Sequence, residues 1–243
     1  MNQKRFQPVV FFALTLIFVL STVWQAQGQA RKIRYQRMAP IDRYLIADHN
    51  AEIALARSAA PKAISHYATV LVLGTHGYQT VSKGENSFTC LVERAWMNPF
   101  DSSEFWNPKV RGPICYNAPA SRSILLYTLK RTELVLAGLS KAQMIDRINV
   151  AFARKELPTP QPGAMSYMMS RYGYLGDSVG PWHPHLMFHA PKADGASDGA
   201  SWGADLPGSP VLLDTSHHKV PEPETIFMVP VGSWSDGTAA PQR

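Results

Sequence analysis

The chain has 243 residues, 45% of them hydrophobic and 17% charged, and a formal net charge of +6. The excess is local: the six basic residues before position 38 face no acid, and beyond them 18 Lys and Arg meet 18 Asp and Glu. A formally neutral body excludes the basic groove that nucleic-acid binding requires, while the length suffices for one domain with a real core.

The elements follow in chain order. Lys4 and Arg5 precede a twelve-residue apolar run, residues 9–20, and small residues at Ala26 and Gly28 suit cleavage after Gly28 or Ala30. As a helix the run rises about 18 Å, too short for a hydrocarbon core of about 30 Å, so residues 1–30 read as a removed signal peptide. Residues 31–40 read as a basic N-terminal arm. It and the signal segment offer the only expected membrane contact. Residues 41–243 read as a single α+β domain. The spacing of Leu45, Ile46, His49, Ile53 and Ala56 predicts a helix over 41–59, with His49 packed. Residues 68–73, 78–81 and 88–94 predict three strands in a meander. Residues 95–121 lack periodicity and read as a packed, aromatic-rich flap. Residues 122–137 predict a helix stopped by Gly138, although Leu-Leu-Tyr-Thr-Leu within them also fits a strand. Ser140 and Gln143 form a capping box for the next helix, with Met144, Ile145, Ile148 and Phe152 as its apolar stripe. Strands follow at 164–169, 182–190, 211–213 and 225–231. The expected fold is α+β: a mostly antiparallel sheet with about three helices packed on one face and one disulfide.

That disulfide joins Cys90 to Cys115, the only cysteines. An even pair in an exported chain reads as a bridge, and two cysteines so far apart do not make a zinc knuckle.

Candidate chemistry concentrates at residues 180–191. A strand over 182–190 puts His183, His185, Met187 and His189 on one face, and Pro184, Leu186 and Phe188 on the other, with Leu186 and Phe188 expected to be buried against the core. Imidazoles accept zinc or copper, and copper(I) also accepts a thioether. His183 and His189 lie about 20 Å apart along a regular strand, so a metal here would take His183 and His185 with a ligand from elsewhere. A later Glu, as in cupin-type sites, is missing, since no Glu occurs between Glu156 and Glu222. Gly-X-Ser-X-Gly occurs around Ser178, Ser197 and Ser201, in each case without the strand and helix of a nucleophile elbow. Asp194, Asp198 and Asp205 lack the oxygen density of a calcium loop. His217 and His218 read as exposed.

Five blocks together resemble a group of exported bacterial proteins. They are Arg57-Ser58-Ala59-Ala60-Pro61, Ala68-Thr69-Val70, Asn86-Ser87-Phe88-Thr89-Cys90, Tyr167-Met168-Met169 and Pro184-His185-Leu186-Met187. Ser87 departs from the pattern, which places Gly there. The resemblance implies export and assigns no activity to any residue. The expectation from the residues is an exported, periplasmic or secreted protein. It binds a small molecule or a partner protein on the His183, His185 and His189 face. The competing class is a zinc- or copper-dependent enzyme using that face.

Overall fold

Thr-Val-Leu-Val-Leu-Gly forms β1 (Thr69–Gly74), whose four middle residues are buried without alternation, as a β-branched strand covered on both faces requires. Gly77, at φ +114, turns it into β2 (Gly77–Ser82), its antiparallel partner. The next strand, β3 (Thr89–Glu93), pairs parallel with the opposite edge of β1, with Thr69 opposite Thr89 and Val70 opposite Cys90. The three strands are therefore not a meander, because the chain crosses back before β3 starts. Ser87 sits in that return at φ +61, a conformation that favours glycine.

The stretch read as a flap contains a strand. β4 (Gly112–Tyr116) is buried at all five positions and pairs antiparallel with β3 and with β5 (Met165–Met168). Its central position removes the period-two signal by which a strand is recognised. β6 (His185–Pro191), β7 (Leu212–Leu213) and β8 (Glu224–Pro230) complete one eight-stranded sheet of order β2-β1-β3-β4-β5-β6-β8-β7. Only the β1–β3 pairing is parallel. The computed structural model describes residues 35–177, 183–192, 201–214, 220 and 222–241. The expected signal peptide, the start of the basic arm, Ser178, Asp194, Ser197, Asp198, His217 and His218 lie outside these residues.

Among the described residues three helices exceed one turn, and they divide between the two faces of the sheet. α1 (His49–Arg57) starts at Asp48, whose side chain accepts from Asn50 N–H at 2.8 Å. The segment before it is a short 3₁₀ turn, Ile41–Arg43, so the helix expected over 41–59 is two elements. The break follows Tyr44, which is fully buried and donates its O–H to the Trp106 carbonyl. His49 opens α1 and is exposed rather than packed. Ala56 and the alanines after it cover Val70, Val92 and the Cys90–Cys115 bridge. On the opposite face α2 (Ile124–Leu136) covers Leu71, Leu91, Ile114 and Tyr116. α3 (Lys141–Ala153) carries the expected capping box and packs Met144, Ile148 and Ala151 into the core with Leu134 and Val135 of α2. The helices are thus not confined to one face. The α+β class, the mostly antiparallel sheet and the disulfide stand.

Candidate functional site

The cross-strand register decides which side chains meet on the α2 face. Tyr116 is opposite Ser166, Ser166 opposite Met187 and Met168 opposite His185. Pro230 is opposite His185, Met228 opposite Met187 and Ile226 opposite His189. Directly paired residues share a face and alternate ones follow, so Glu93, Tyr116, Ser166, His185, His189 and Glu224 all point towards α2. Between this face and α2 lies a cavity of about 380 Å³, lined by residues of β3 to β8 and of α2.

β6 keeps the two-residue alternation, but it starts at His185 rather than at residue 182, and the face that is buried is the opposite of the expected one. His185, Met187 and His189 are buried, and Leu186 and Phe188 are half-buried. Burial runs opposite to what residue type suggests: the imidazoles are inside and the two large apolar side chains are the more open. His183 lies just before the strand and lines the same cavity. Leu186 and Phe188 belong to the outer face, where Trp202 stacks on Phe227 with ring centroids 4.4 Å apart and lies 5.7 Å from Phe188.

His189 is gripped at both nitrogens. Its Nδ1–H donates to Glu224 Oε2 at 2.7 Å, and Nε2 lies 3.0 Å from Ser166 Oγ, within hydrogen-bond distance. The order Ser166, His189, Glu224 is that of a serine-hydrolase relay. The placement is not. Ser166 has no solvent exposure, sits inside a regular strand and is followed by more strand. A nucleophile must reach its substrate from an exposed turn. Ser166 is a clamp on the His189 ring, whose Nδ1–H is set by the Glu224 carboxylate. His185 is also fixed, with its Nδ1–H donating to the His183 carbonyl at 2.9 Å.

Two carboxylates on the cavity wall have contrasting surroundings. Glu93 accepts from Tyr116 O–H, and Thr128 Oγ1 lies 3.0 Å from the same phenol oxygen. Protein encloses Glu93, and its residual surface opens onto the cavity. Burial raises its carboxyl to about 7, against smaller lowering contributions from Tyr116, His189 and Arg131. The Tyr116 phenol is pushed well up, first by burial and then by the Glu93 charge, so it remains a donor. Glu222 instead accepts from Tyr127 O–H at 2.6 Å and lies 3.3 Å from Arg131 Nη1. Arg131 also donates to the Asn98 carbonyl at 2.7 Å, and its guanidinium lies 4.2 Å from the Phe100 ring centre. Arg94 is occupied by Glu52 at 2.8 Å, with both side chains fully buried.

Among the described residues no group of three or more His, Cys, Asp or Glu side chains is placed to hold a metal ion. The histidines do not converge: His185 and His189 are four residues apart on one strand, roughly 13 Å. The nearest carboxylate to His189, Glu224, is engaged by its Nδ1.

The histidine cluster was visible in the sequence, but Glu93, Tyr116, Arg131, Ser166, Glu222 and Glu224 were not singled out. One signal was available. Glu224 and Glu93 each share a strand face with apolar residues, Ile226 and Met228 in one case and Leu91 in the other. A carboxylate in phase with a buried face is worth flagging.

No protein-family model, curated protein or solved structure matches the chain. The assignment of a role therefore rests on the site itself.

Proposed function

We propose that this is an exported protein that binds a small molecule in the cavity between α2 and the His185–His189 face of the sheet. The observation that carries the reading is the cavity. It encloses about 380 Å³, in the range of small-ligand sites, and a few polar groups converge on a largely apolar lining. Those groups are held by hydrogen bonds to each other, so the site is formed before a ligand arrives. Export is supported by the Cys90–Cys115 bridge, which persists in oxidising compartments, and by the composition of residues 1–30.

The test is a titration with benzyl alcohol, followed by amide and methyl NMR. Saturable shifts at Met168, Met187, His189 and Met228 are expected. They should vanish in Met187→Trp, whose indole occupies the cavity. Shifts scattered over the surface, or unchanged in Met187→Trp, would show that the cavity is not a ligand site.

A further inference from the structure

We infer that the cavity takes a small organic cation, an ammonium group on an apolar body, with Glu93 as its counter-ion. This rests on the cavity being a ligand site and adds the chemistry of the ligand.

Charge balance is the first observation. Four carboxylates line the cavity, Glu93, Asp214, Glu222 and Glu224, against two guanidiniums, Arg94 and Arg131. Arg94 is already neutralised by Glu52, which is not part of the lining. Arg131 is held by Glu222, Tyr127 and Asn98. Among the described residues both lining guanidiniums already have a carboxylate partner, and an anion would meet the Glu93 carboxyl at low dielectric. The histidines add positive charge only where they are protonated.

The second observation is where the negative charge is reachable. Glu224 is occupied by His189, and Glu222 binds Tyr127 and Arg131 through Oε2, while its Oε1 is buried away from solvent without a partner among the described residues. Glu93 has one hydrogen-bond partner among the described residues, Tyr116, and keeps surface open to the cavity. Around it the floor is apolar, with Ile114, Met168 and Met187 at its sides. This arrangement fits a molecule with one charged donor and an otherwise hydrophobic surface.

The third observation gives the inference its own signature. Glu93 is faced by Tyr116 from β4, His189 from β6, Glu224 from β8, Arg131 from α2 and Tyr78 from β2. Burial among them holds the Glu93 carboxyl at about 7, so near neutrality it is partly protonated when the cavity holds no cation. An ammonium group beside it favours the carboxylate, and the proton leaves to solvent as the ligand enters. Binding of such a ligand strengthens as pH rises through 7 and levels off above it.

The experiment compares three probes of similar shape: benzylamine, benzyl alcohol and benzoate. Each is titrated calorimetrically into the full mature chain and into Glu93→Gln. At pH 7.5 benzylamine should bind wild type at least ten-fold tighter than benzyl alcohol, and benzoate should be weakest. In buffers of different ionisation heat at pH 7, benzylamine binding should release a fraction of a proton from wild type and none from Glu93→Gln. Glu93→Gln should keep benzyl alcohol binding, which shows the cavity intact, and lose the preference for benzylamine. If benzyl alcohol or benzoate binds wild type as well as benzylamine does, the cation inference fails and the ligand site survives. A preference for benzylamine that persists in Glu93→Gln removes Glu93 as the counter-ion. If no probe binds wild type, both readings fail.

Discussion

His189 is buried only because both ring nitrogens are satisfied, by Glu224 on one side and Ser166 on the other. The two partners differ in importance. His189→Ala strands a carboxylate that is itself 7% exposed, and breaking a buried pair in this way costs about 3–5 kcal/mol. Ser166→Ala removes one hydrogen bond at the edge of a cavity and costs about 1 kcal/mol. Urea unfolding of the two variants checks this, and equal losses would show that Glu224 does not depend on the imidazole. Glu93 makes a second residue-level prediction, through pH. Its carboxyl is raised in the folded protein from 4.5 to about 7. Between these values the folded state keeps a proton that the unfolded chain has released, so this group's contribution to stability falls as pH rises from about 4.5 to 7 and is flat above. Glu93→Gln should remove that slope. The stability difference between Glu93→Gln and wild type, measured by urea unfolding at pH 5 and pH 8, should therefore grow in favour of the variant at the higher pH. A difference independent of pH would place Glu93 in a solvated environment.

At the scale of elements, β6 shows how far period alone reaches. Alternation in His-Leu-Met-Phe-His assigns every side chain to a face, and it assigned these correctly. It does not say which face is inside, because that depends on strands and helices far away in the chain. Met168 of β5, Ile226 and Met228 of β8 and, from α2, Ile124, Tyr127 and Arg131 line the cavity with the histidines. Leu186 and Phe188 receive only partial cover. The expected cost of truncation follows the observed burial. Leu186→Ala should cost less than about 2 kcal/mol, and Phe227→Ala, fully buried under Trp202, about 3–5 kcal/mol. Chemical denaturation of the pair decides it, and a larger loss for Leu186→Ala would contradict the observed sidedness. The same limit hid β4, where burial on both faces leaves no period. It also hid the parallel pairing of β3 with β1, since local pattern carries no record of which strand edges meet. The elements set by local chemistry were legible: the Ser140 capping box, the stop at Gly138 with φ +76, and the β1–β2 hairpin. The candidate site was half legible. The histidines stand on one strand, but Glu93 and Glu224 join them only through register across the sheet.

At the scale of the molecule, the Cys90–Cys115 bridge bears on stability and on the redox compartment the fold suits. The two residues are direct register partners in β3 and β4, with Cα atoms 4.0 Å apart and no solvent exposure. The segment between them holds Trp96, Phe100, Phe105 and Trp106, all buried, so the bridge, at a sequence separation of 25, closes a loop that builds much of the α2-side core. Cross-linking that segment restricts the unfolded chain far more than the folded one, whose ladder already holds the two strands together. The chain-entropy argument gives a stabilisation on the order of 3 kcal/mol. Two consequences separate this from a bridge that merely decorates the surface. The double variant Cys90→Ala with Cys115→Ala should keep the fold and unfold at markedly lower urea concentration than the oxidised wild type. In native buffer the bridge should resist dithiothreitol, because both sulfurs lie beneath α1, and it should be reduced only as fast as the β3–β4 region opens. Thiol alkylation followed by mass analysis, with and without urea, reads both. Rapid alkylation of native protein without reductant would mean that the thiols are free and that the chain does not need an oxidising compartment to reach its folded state.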